Sequence, residues 1–170
     1  SQEGLYAHFK AINDAVDIPI VIYNVPGRTI VDIGVDIMGR IAKLKNVVGV
    51  KDATGDLSRV MRQQAACGET FIQLSGDDGS ALGFNAYGGK GCISVTANVA
   101  PKLCAQMHAA CAQGDFAAAR AIDAKLANLH KVMFVEPSPG PAKYAASLLG
   151  LCTDEVRLPI ESVPVTRSAT

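Results

Sequence analysis

Apolar residues follow two alternating rhythms along this chain. Leu5, Phe9, Ile12 and Val16 recur at three- and four-residue intervals, which puts them on one face of a helix. An apolar run over residues 18–23 follows. The order then repeats: residues 35–44 read as a helix with Ile37, Ile41 and Leu44 on one face, and residues 47–51 as another short apolar run. Residues 57–66 read as helix, 71–75 as extended, 81–87 as helix and 91–95 as extended. Strand starts recur at about the length of one βα unit.

Beyond residue 99 the strands stop. Residues 101–113, 116–135 and 141–149 all carry helical spacing, divided by Gly114-Asp115 and by "EPSPGP" at 136–141. The alanines at 117, 118, 119, 121, 124 and 127 suit close helix packing, and "RLPIESVPVTRSAT" at 157–170 reads as irregular. No low-complexity segment or linker divides the chain.

Near-continuous apolar strands with helices between them imply a parallel sheet covered by helices. Two architectures fit, a doubly wound open sheet and a part of a (β/α)8 barrel. The first needs a glycine-rich phosphate loop after a strand and before a helix. "GGKG" at 88–91 precedes a strand instead and reads as a turn. A whole barrel needs eight strands and about 250 residues. The expectation is therefore an α/β fold of the TIM-barrel type, to which this chain supplies about the last four βα units. Residues 1–99 would form the half-barrel, and residues 100–170 the last barrel helix with a helical extension.

Composition narrows the function classes. The 49% hydrophobic and 19% charged content over 170 residues is that of a globular protein. Formal net charge is zero and no basic block occurs, so neither nucleic acid nor an acidic membrane finds an electrostatic footprint. No apolar run approaches the roughly 20 residues of a membrane span, and the polar start at Ser1 shows no leader pattern, so the expected compartment is the cytoplasm. Five cysteines, an odd number without close pairs, read as small buried hydrophobes in reducing surroundings. Cys104, His108 and Cys111 share one helix face as either three soft metal ligands or a core stripe. With no fourth ligand in sight, no metal is expected.

Candidate chemistry lies at two strand ends. "VIYNVPGRTI" at 21–30 finishes an apolar run on Tyr23 and Asn24, and "VVGVKDATG" at 47–55 carries Lys51 at the end of the next. A polar tip on a buried strand costs free energy unless it has partners or work to do. By alternation Lys51 shares a face with Gly49 and Val47, and Tyr23 with Val21; Gly49 is expected to leave open volume under the lysine stem. One βα unit separates Tyr23 from Lys51, so they end neighbouring strands about 4.8 Å apart, at the end where barrel active sites sit. A neutral amine there condenses with a ketone to a Schiff base, which makes the adjacent carbon a nucleophile, and a phenol can shuttle the protons. The plain alternative is a lysine snorkelling from a strand end.

"YNVPGRT", "VVGVKDATG", "LSGDD" and "GGKGCISVTANV", in this order, resemble the dihydrodipicolinate synthase branch of the N-acetylneuraminate lyase family of pyruvate-dependent class I aldolases. The resemblance runs from Ser1 to about Ile160 and matches the carboxyl-terminal part of that family. It implies condensation of pyruvate with L-aspartate 4-semialdehyde to 4-hydroxy-tetrahydrodipicolinate, on the route to diaminopimelate and lysine. It implies a homo-oligomer (dimer or tetramer), and no cofactor beyond the lysine–pyruvate Schiff base. Carried over by motif, Lys51 is the Schiff-base lysine and Tyr23 the proton-relay tyrosine. Arg28 meets a substrate carboxylate, for which its fork is suited. Gly76 and Ile93 lie with their backbone against pyruvate. Without the motif, Arg28 reads as a surface arginine on a turn and Gly76 as a turn glycine before a helix start.

Two departures keep other readings open. Ser138 and Gly140 replace the asparagine and isoleucine common in this branch, which leaves room for a related pyruvate-dependent aldolase or dehydratase with another acceptor, a sialic- or sugar-acid enzyme among them. The family's further relay groups and carboxylate-binding amides match no residue here, which leaves room for a non-catalytic half-barrel acting as an assembly partner.

Overall fold

The computed structural model describes residues 1–162 and shows two compact units, Ser1–Ile93 and Ser94–Thr170. The expected irregular stretch at 157–170 lies partly outside the described residues, and its first six residues carry neither helix nor strand.

The first unit alternates helices and strands as the periodicity predicts. α1 (Gln2–Ala15) is capped by Ser1, whose hydroxyl accepts from the Gly4 amide. It leads to β1 (Ile20–Asn24), a single helical turn α2 (Pro26–Thr29) and α3 (Val35–Ile41). β2 (Val47–Asp52), α4 (Ser58–Cys67), β3 (Ile72–Ser75) and α5 (Ala81–Ala86) follow. The strands form one parallel sheet in the order β1-β2-β3.

The two sheet faces differ. On one, Ile22 and Val50 join Ile33, Ile37, Met38, Ile41, Val47 and Phe71 in a buried core, against which Leu5, Tyr6 and Phe9 pack. The stripe on α1 is thus only half used, since Ile12 and Val16 stay exposed. On the other face Val21, Tyr23 and Ile72 are 43%, 46% and 42% exposed.

Three expectations need correction. Val47 does not share Lys51's face, because the β1–β2 register shifts between Ile20 and Val21 and turns Val47 into the helix-side core. Gly49 does not leave a void: a Cβ on it would stand 2.3 Å from the Ile72 carbonyl oxygen and 2.9 Å from the Ile72 Cβ. The position is closed by the neighbouring strand, and only glycine permits that approach. The extended stretch at 91–95 forms no strand and pairs through one isolated bridge, Ser75 with Cys92. Around that bridge the Lys90 amide donates to the Gln73 carbonyl, the Gly91 carbonyl accepts from the Ser75 amide and the Ile93 amide donates to the Ser75 carbonyl, and a 3-10 turn starts at Thr96.

In the second unit, α6 (Pro101–Ala112) and α7 (Phe116–Val132) pack together, followed by α8 (Gly140–Leu148). Pro101 opens α6, and the Asp115 carboxylate caps α7 by accepting from the Ala118 amide. Cys104, Met107 and Cys111 of α6 and Ala119 and Leu126 of α7 are buried. Cys104 and Cys111 therefore sit on a core stripe, and among the described residues no three His, Cys, Asp or Glu side chains are grouped to hold a metal ion.

Candidate active site

Register brings the two strand-end residues together. Tyr23 pairs with Lys51 across β1 and β2, and Asn24 with Asp52. Because side chains alternate, Tyr23 and Lys51 project from the open face while Asn24 and Asp52 project from the helix side. The Lys51 Nζ lies 4.1 Å from the centroid of the Tyr23 ring, a cation–π distance for the ammonium form. Lys51 is half-buried.

Gly76 forms the wall beside the lysine. A Cβ there would stand 2.7 Å from the Ala53 Cβ and 3.2 Å from the Lys51 Cε. Its amide donates to the Asp52 carbonyl at 2.7 Å, which continues the β2–β3 ladder past Ser75. The Ile93 amide donates to the Ser75 carbonyl at 2.9 Å, and its side chain is exposed. The structure thus places Tyr23, Lys51 and Gly76 in one patch, with Ile93 tied to the end of β3.

Arg28 stands on α2, directly after β1, with an exposed side chain. The turn closes through Ile30, whose amide donates to the Pro26 carbonyl at 2.9 Å while its own φ is 62°. A β-branched residue in the left-handed region is strained, so the loop that carries Arg28 ends on a costly conformation.

Behind this patch lies a polar network that sequence reasoning missed. The buried Asp52 carboxylate accepts from Arg59 Nε at 3.0 Å, Gln63 Nε2 at 2.7 Å, the Thr54 amide at 2.9 Å and the Thr54 hydroxyl at 2.6 Å. Arg59, also buried, further donates to Asp32 at 3.0 Å and to the Ile33 carbonyl at 2.8 Å. Asp32 in turn accepts from Asn24 Nδ2 at 2.7 Å, and Asn24 Oδ1 accepts from the Ile33 amide at 3.1 Å. The available signal was the polar pair Asn24 and Asp52 at the helix-side positions of two apolar strands.

Cys92 lies on the strand-like segment beside β3. Burial, and then the nearby Asp78 carboxylate, push its thiol up to about 12, opposed by a hydrogen bond with Ser75 and, least of all, by Lys51. It is therefore a neutral thiol at physiological pH rather than a nucleophile.

The lysine–phenol pair thus lies at the carboxyl end of a three-stranded parallel sheet, the end at which α/β barrels carry their sites. Comparison with known proteins gives this chain a family: a sequence model described as the Dihydrodipicolinate synthetase family matches residues 1–169, and the chain belongs to that family. The 4-hydroxy-tetrahydrodipicolinate synthase of Parvibaculum lavamentivorans is 60% identical over 169 residues, covering 99% of this chain and 57% of that protein. The synthase of Hyphomonas neptunium is 62% identical, covering 94% and 55%. Among solved structures, dihydrodipicolinate synthase from Aquifex aeolicus superposes with a TM-score of 0.94 at 44% identity, covering 96% of this chain and 56% of its own. The chloride-inhibited synthase of Acinetobacter baumannii, solved with pyruvate, gives 0.94 at 42% identity, covering 99% and 58%. The chain thus spans a little over half the length of the relatives it matches, and its sheet is part of a barrel. No helix among the described residues is long and apolar enough to cross a membrane.

Proposed function

We propose that this chain supplies the carboxyl-terminal part of a barrel enzyme that condenses pyruvate with L-aspartate 4-semialdehyde to 4-hydroxy-tetrahydrodipicolinate. The observation that carries the reading is the Lys51 Nζ 4.1 Å from the Tyr23 ring on the open sheet face, with side-chain-free Gly76 against the lysine stem. The neutral amine attacks the ketone carbon of pyruvate and forms a C–N bond. The carbonyl oxygen leaves as water once protonated, and the Tyr23 phenol relays that proton. The resulting iminium withdraws electrons, so the methyl carbon loses a proton and becomes the nucleophile that bonds to the aldehyde carbon. This covalent imine is the electron sink, and the reaction as proposed calls on no metal or organic cofactor. Arg28 meets a carboxylate of the acceptor, and the backbone at Gly76 and Ile93 lines the pyruvate position.

By itself the chain should turn over little substrate. Tyr23 and Lys51 stand on an open sheet face, in contact with water, rather than in the closed mouth of a barrel. Assembly as a homo-oligomer of the complete polypeptide is part of the same proposal.

The test is a full-length chimera in which residues 1–169 replace the matching stretch of the Parvibaculum lavamentivorans relative. Reduction with borohydride in the presence of labelled pyruvate should place the label on Lys51. Label on Lys43, Lys45 or Lys90 overturns the assignment. Arg28→Ala should slow aldehyde condensation more than adduct formation, and equal loss in both steps would refute its carboxylate role. A panel of acceptors separates this reading from the sugar-acid alternative that Ser138 and Gly140 leave open.

A further inference from the structure

The Tyr23–Lys51 pair on the open face has a counterpart directly behind it. Asn24 and Asp52 are the next register pair on the same two strands, and both side chains are buried. Each ends in a carboxylate-centred set of hydrogen bonds, Asn24 at Asp32 and Asp52 at its own four donors. One guanidinium joins the two sets, since Arg59 grips Asp52 with Nε and Asp32 with a terminal nitrogen. Arg59 rises from the first turn of α4, the helix that follows β2.

We infer that Arg59 is a positioning residue for the reaction proposed above, acting through Asp52 and Asp32 to hold the β1 and β2 ends in the register that faces Lys51 toward Tyr23. The inference rests on Lys51 being the imine-forming lysine. The geometry is that of a clamp with a fixed span. A planar fork holds two acceptors at a set separation, and an ammonium on a flexible stem does not. Lys51 and Asp52 are adjacent in sequence, so any slip or twist of the Asp52 anchor is passed through one Cα–Cα step to the lysine. Displacement of a reacting group by about 1 Å can cost about 100-fold in rate. The network leaves the lysine's own side chain free to react, because every anchor lies on the opposite face.

A merely structural ion pair would change how much protein folds and leave each folded site unaltered. The experiment therefore measures the rate constant for pyruvate adduct formation per folded site in the full-length chimera. Sites are counted by exhaustive borohydride trapping, well below each variant's unfolding midpoint. Arg59→Lys should lower that rate constant at least 10-fold with little change in pyruvate KM, and Arg59→Ala should recover part of the loss when guanidinium ion is added at millimolar concentration. Asp32→Asn alters only the outer, half-exposed end of the clamp and so keeps the test available if Arg59 variants fold poorly; about a threefold loss is expected. Rate constants within 1.5-fold of the parent for Asp32→Asn and for whichever Arg59 variants fold overturn the inference while leaving the proposed chemistry standing. A parent chimera that traps no pyruvate at Lys51 overturns both.

Discussion

Replacing Gly49 by alanine tests the packing on which the lysine stands. The added methyl would lie 2.3 Å from the Ile72 carbonyl oxygen and 2.9 Å from the Ile72 Cβ, against a backbone that has no rotamer to change. A carbon–oxygen contact relaxes at about 3.3 Å, so β2 and β3 must part by roughly 1 Å at this point. Hydrogen bonds of the parallel ladder weaken steeply over such a distance, at about 1 kcal/mol for each one lost. Overpacking of a well-filled site adds about 1–3 kcal/mol. Together these predict a loss of about 2–4 kcal/mol for Gly49→Ala, read as a lower denaturation midpoint at unchanged m-value. The same separation shifts Lys51, which pairs with Leu74 of β3, so adduct formation in the full-length chimera should fall as well. A stability change below about 0.5 kcal/mol, the range of indifferent surface substitutions, would refute the close-approach argument.

Four other outcomes follow from the geometry. Tyr23→Phe keeps the ring under the Lys51 amine but removes the phenol, so adduct formation should slow by about 100-fold without loss of folding; an unchanged rate would remove Tyr23 from proton transfer. Alkylation near neutral pH should reach the exposed Cys152 well before the partly buried Cys67 and Cys92, because burial pushes those two thiols up to about 11 and about 12. Since the folded chain holds those protons above the ordinary thiol value of 9.0, their contribution to stability is complete below pH 9 and is lost as pH rises towards 12, which pH-dependent unfolding measures. Ile30→Asn should raise stability by about 1 kcal/mol, because asparagine tolerates the φ of 62° and the isoleucine, 86% exposed, has little burial to lose; an unchanged midpoint would mean that the turn is unstrained.

Periodicity by itself determined the order of helices and strands through Ala86, apart from the single turn α2, and the three helices after residue 100. It also marked Tyr23 and Lys51 as ends of successive strands, because amphipathic spacing and strand alternation are local properties of the chain. The motifs, read by resemblance, pointed to the family. Only the tertiary structure decided the rest. The register shift at Ile20 and Val21 depends on how two strands meet, and it moved Val47 to the helix side. Gly49 is glycine because Ile72, twenty-odd residues onward, brings its backbone against it. The stretch at 91–95 has strand-like composition, yet it meets β3 at one bridge before a 3-10 turn begins at Thr96. Arg59 reads in sequence as an ordinary polar helix position. Its role appears when folding carries it, Asp52 and Asp32 to one place, since burying charge is tolerable only where opposite charge and hydrogen bonds converge from distant parts of the chain.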